Sequence, residues 1–134
     1  MLRDNLARFN SADSNTQRTA VHEAGHAVLA RQFGMTDVRG WVNYGTRRRS
    51  GTCSWRGKLT SFQWLIVAAA GAAAELAVLG NMGDESTLAT DMQRARRAGW
   101  DRDQFLDAVY SLAEQIDIDA IMAQEITTRH YSNR

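Results

Sequence analysis

Proline is absent from all 134 residues, and cysteine and lysine occur once each, at Cys53 and Lys58. A single cysteine excludes an internal disulfide, and a lone thiol fits a reducing, cytoplasmic compartment. No Cys-x-x-Cys pair exists, so Cys53, between Thr52 and Ser54 in an expected strand, reads as a structural thiol rather than a ligand. The absence of proline suits helices joined by glycine turns. Long apolar runs are missing too. The longest, Trp64 to Ala74, has eleven residues before Glu75 ends it. That is well short of the ~20 a membrane-spanning helix needs. The opening "MLRDNLARFNSADSN" lacks the apolar centre of a signal peptide. Charge of one sign is not in excess either: the net charge is +1, so no global field favours nucleic acid.

What is present has the balance of one soluble globular domain, with 44% hydrophobic and 23% charged residues. The expected domain fills 1–134, with flexible ends at 1–14 and 129–134. Charge is unevenly spread, +6 over residues 1–60 and −5 over 61–134, which describes a solvated dipolar surface.

Helical spacing dominates the chain. "SNTQ" at 14–17 has the form of a capping box, and the apolar positions Val21, Val28, Leu29 and Phe33 predict a helix to about Phe33, stopped by Gly34. Residues 38–56 favour strand at Val38, Trp41, Val42 and Tyr44, and "TCSW" suits a return strand, giving a hairpin with Arg47, Arg48 and Arg49 at an exposed tip. Residues 60–80 are predicted as a buried helix, capped by Thr60 and Gln63 and stopped by Gly80. Further helices are expected from Ser86 or Thr87 to Gly99, from Asp101 through Ile116, and over 119–128 before a fraying tail. The fold class is therefore mainly α, with one small hairpin.

"TAVHEAGHAVLARQFG", residues 19–34, carries the chemistry. On a helix, His22 and His26 stand one turn apart on one face, where both rings can reach one ion. Glu23 is rotated by about 100°. It is badly placed to ligate that ion but well placed to serve as a base: zinc lowers the pKa of a coordinated water to ~7, and a carboxylate can take its proton during attack on a carbonyl. Two surface histidines are the plainer alternative. Against it, two of only three histidines fall at this spacing, with a glutamate where the chemistry wants one. Gly25 also interrupts the helix at a cost of ~1 kcal/mol relative to alanine, which suits close approach by another element.

Catalytic zinc usually has three protein ligands, so a third must lie elsewhere. The extended motif fails, because positions 29 and 32 are Leu and Gln. The candidates are Glu75, Asp84, Glu85, Asp91 and His130. Asp84 and Glu85 suit a turn and His130 a tail, while Glu75 is a lone carboxylate in an apolar helix and Asp91 lies inside another. Residue chemistry ranks Glu75 and Asp91 together.

"TAVHEAGHAV" resembles the zinc-binding helix in the peptidase domain of the FtsH family of membrane-anchored, ATP-dependent zinc proteases. Two further stretches are similar in order: "AGAAAELAVLG", 70–80, to the family's "GGRAAEEIIFG", and "ATDMQRARRAG", 89–99, to its "SNDLEQATRIAR". The resemblance covers about residues 17–99. It implies a helical zinc metallopeptidase with His22, His26 and Asp91 as ligands, Glu23 as general base and Glu75 in support of a ligand imidazole. It departs at Ala72 and Leu76, where the family has arginine and a second glutamate, and these 134 residues carry no ATPase or transmembrane part. The expected activity is zinc-dependent cleavage of unfolded or flexible polypeptides, with a separate unfoldase or self-association as expected partners. A hairpin edge suits pairing with an extended substrate. The alternatives are a zinc-containing peptide-binding module without catalysis, or regulatory cleavage of one dedicated partner.

Overall fold

The computed structural model describes residues 14–44, 50–83 and 85–130. Residues 1–13, 45–49 with the arginines at 47–49, Asp84 and residues 131–134 lie outside the described residues, as do the side chains of Ser14, Asn15, Tyr44, Ser50, Glu85, Ser86, Thr87, Arg129 and His130. Among the described residues five helices and three strands follow in the order α1 (Ser14–Gln32), β1 (Thr36–Tyr44), β2 (Ser50–Arg56), α2 (Ser61–Leu79), α3 (Glu85–Arg97), α4 (Arg102–Ala113), α5 (Ile118–Met122) and β3 (Ile126–His130). The fold is mainly helical, with a small sheet.

Local signals set most boundaries. The Thr60 side chain accepts from the Gln63 amide and Gln63 reaches back to the Thr60 N–H, so both orphan donors at the start of α2 are satisfied. Asp101 and Gln104 do the same for α4. Past the end of α2, Gly80 takes the left-handed conformation, φ 83°, that a side chain would resist.

The C-terminal part departs from expectation. The predicted helix over 119–128 ends at Met122, and Ile126–His130 forms β3 rather than leading into a frayed tail. β3 lies parallel to β1, with Gly40 opposite Ile126 and Val42 opposite Thr128. The hairpin is therefore part of a three-stranded sheet in the order β2-β1-β3, with β2 antiparallel to β1 at one edge. A parallel partner needs a long crossover, supplied here by all the chain between β1 and β3.

α1 packs against the sheet on one side and against α2 on the other, and α2 in turn meets α3 and α4. Leu65 and Val67 through Glu75 are all buried, so α2 is the central helix of the protein. By length and apolarity alone it could cross a membrane. Here Ala70 and Ala74 join the core with Val21, Ala24 and Val28 of α1, while Ala68, Ala69, Ala72 and Ala73 face Leu88, Ala95, Phe105 and Val109 of α3 and α4. Alanine on both faces lets helix backbones come close. At Gly25 the approach leaves no room even for a methyl group. A Cβ there would stand 2.6 Å from the Ala74 Cβ and press on the Ala70 carbonyl.

Candidate metal centre

Every residue from Ala20 to Ala30 is buried, so the face of α1 that carries the histidines is interior. α2 presses against it, and α3 delivers Asp91 from the far side of the sequence. The Asp91 Oδ2 lies 2.7 Å from His22 Nε2 and 3.2 Å from His26 Nε2. His22, His26 and Asp91 thus offer three ligand atoms within 4.8 Å of one another, close enough to bind one metal ion. The two rings meet edge to face, 4.7 Å between centroids. Of the sequence candidates for a third ligand, the structure brings Asp91 to the histidine pair. Glu75 stands behind His22 instead.

The outer nitrogens are fixed by hydrogen bonds. His22 Nδ1 donates to Glu75 Oε2 at 2.7 Å, and His26 Nδ1 donates to the Val67 carbonyl at 2.6 Å. Tying each Nδ1–H to an acceptor fixes the ring planes and leaves each Nε2, once it gives up its proton, for coordination. Two Nε2 atoms and one carboxylate oxygen form a donor set that suits a divalent metal ion.

Electrostatics bind the cluster together. Burial alone would push the His22 imidazole down, but hydrogen bonds with Asp91 and Glu75 outweigh it and hold the ring well above its ordinary value of 6.5. Burial opposes His26 in the same way, and the charge and hydrogen bond of Asp91 prevail there too. Asp91 moves the other way. Burial would raise it, yet the adjoining imidazoles hold it far below the carboxylate range.

Glu23 is buried, 6% exposed. Burial raises its pKa, offset in part by His26 and His22. It lies under β2, where a Cβ on Gly51 would come within 2.5 Å of Glu23 Cγ and 2.8 Å of Cδ. Gly71 does the same for His22: a Cβ there would sit 2.5 Å from the ring Cε1 and 2.7 Å from Cδ2. Burial pushes the neighbouring Cys53 thiol up to about 12, so it stays protonated and is a poor ligand.

Comparison of the chain with protein-family models, curated proteins and solved structures finds no match.

Four residues around the centre were not singled out from the sequence: Gly51, Gly71, Arg18 and Arg94. Arg94 places Nη1 3.4 Å from Asp91 Oδ1, one turn along α3. Arg18 lies one turn before His22 and donates to Glu75 Oε1 at 2.8 Å. Counting four back from His22 and four back from Glu75 finds Arg18 and Gly71, which is the signal the sequence held.

Proposed function

We propose that the protein is a zinc-dependent metalloendopeptidase acting on unfolded or flexible polypeptides. The observation that carries this reading is the convergence of His22 Nε2, His26 Nε2 and Asp91 Oδ2 beside Glu23, a buried carboxylate. The ordered resemblance of three stretches to the FtsH peptidase domain supports it independently.

His22, His26 and Asp91 would hold the ion, which when bound supplies a Lewis acid for the scissile carbonyl and an acidified water. Glu75 and the Val67 carbonyl orient the two imidazoles by their Nδ1–H groups. Glu23 accepts the proton of the attacking water and returns it to the leaving amine. Its burial raises its pKa, and so strengthens it as a base for this transfer. The outer edge of β2, which roofs Glu23, offers backbone groups for an extended substrate strand.

A second reading, a zinc-containing peptide-binding module, is favoured by the enclosure of Glu23 beneath Gly51. Cleavage of a fluorescently labelled unfolded protein in added zinc, with Glu23→Gln alongside, separates the two. The peptidase reading expects cleavage by the parent and none by the variant at equal zinc content. Equal zinc content without cleavage by either would favour the module.

A further inference from the structure

Arg18 joins three elements at one guanidinium. Its Nη1 donates to Glu75 Oε1 at 2.8 Å and to the Asn81 carbonyl at 3.1 Å. Its Nη2 donates to the Asn81 side-chain Oδ1. Glu75 is fully buried, and its second oxygen accepts from His22 Nδ1. Each oxygen of this carboxylate is therefore committed to one partner, a permanent cation on one side and a candidate ligand ring on the other. Asn81 belongs to the turn between α2 and α3, the helix that carries Asp91.

We infer that Arg18 is a positioning residue of the metal centre, acting through Glu75 on His22 and tying that pair to the turn that leads to Asp91. The inference rests on the metal-centre reading. An ion that takes the Nε2 lone pair of His22 leaves the ring neutral. Glu75 then depends on Arg18 for its charge balance, because an unpaired buried carboxylate is costly. Among the described residues no other Arg or Lys pairs with Glu75. Planarity matters as well as charge. A guanidinium can serve Glu75 and Asn81 together, whereas an ammonium is a point charge without that fixed fork. The Arg18 side chain is 25% exposed, so its own solvation cost is partial.

The test is zinc affinity by chelator competition, with the Co²⁺ visible spectrum as a report on ligand geometry. The proteins compared are the parent, Arg18→Ala, Arg18→Lys, Glu75→Gln and the double variant Arg18→Ala/Glu75→Gln. Arg18→Ala is expected to weaken zinc binding by about tenfold, the lower end of what supporting residues contribute. Its Co²⁺ spectrum should shift, and Arg18→Lys should restore part of the affinity. In the Glu75→Gln background Arg18→Ala should change little further. Thermal melts in chelator check folding, and if Arg18→Ala does not fold, Arg18→Lys in both backgrounds makes the same comparison. Unchanged affinity and spectrum on replacing Arg18, or an equal loss in both backgrounds, would overturn the inference while leaving the metal centre standing. A folded parent that binds neither ion would overturn both.

Discussion

Gly71→Ala tests whether His22 is held where the metal centre needs it. The new Cβ would lie 2.5 Å from His22 Cε1, whereas ordinary contact begins at 3.4 Å. The ring must therefore retreat by about 0.9 Å, several times the ~0.2 Å that metal–ligand distances tolerate. It cannot retreat freely, since Glu75 holds its Nδ1 and the core surrounds it. Zinc affinity should fall by at least about 10–100-fold, the loss already seen when only a supporting residue is removed. Folding should suffer less. Alanine gains ~1 kcal/mol over glycine in a helix interior, against about 1–3 kcal/mol for overpacking. The net cost of about 0–2 kcal/mol leaves a domain of ordinary stability folded. Chelator competition gives the affinity, and urea melts in chelator give the stability. Parent-level zinc affinity in a folded variant would refute the reasoning, because His22 would then be either no ligand or not confined by α2.

Gly25→Ala should behave in the opposite manner, chiefly as a stability defect. Its Cβ meets the Ala70 carbonyl and Ala74 Cβ of α2, so two backbones must separate; urea melts should show an overpacking cost of about 1–3 kcal/mol or more, less the ~1 kcal/mol alanine gains over glycine in a helix. The pH response should split with metal content. In chelator, the raised His22 and His26 contribute stability fully present below pH 6.5 and lost as pH rises through their elevated values. The depressed Asp91 adds stability above its ordinary 3.8, lost only in strong acid. Zinc takes the place of those protons, so the zinc-induced rise in Tm should grow with pH above 6.5; parallel curves with and without zinc would refute this. Cys53, with a pKa pushed from 9.0 to about 12, should carry about a thousandfold less thiolate than an ordinary thiol, and react slowly with a disulfide reagent until unfolded. Rapid native-state labelling would contradict that burial.

Features that depend on neighbours within a turn or two are legible in the chain alone. The His22–His26 spacing, the Thr60–Gln63 and Asp101–Gln104 caps and the glycine stops at 34, 80 and 99 are all written in short-range helix geometry. Everything else waited on packing between distant segments. "ITTRH" opens with three β-branched residues that favour strand, but nothing local says that it pairs in parallel with β1, 86 positions earlier in the chain. Glu75 and Asp91 were equivalent as buried acids in the chemistry of their residue types. They parted when packing set one at Nδ1 of His22 and the other at Nε2, across 53 and 69 positions of chain. Packing likewise made Gly51 and Gly71 the room for Glu23 and His22. Spacing along a helix fixes which side chains share a face, but only the packing of helices against one another fixes which faces meet.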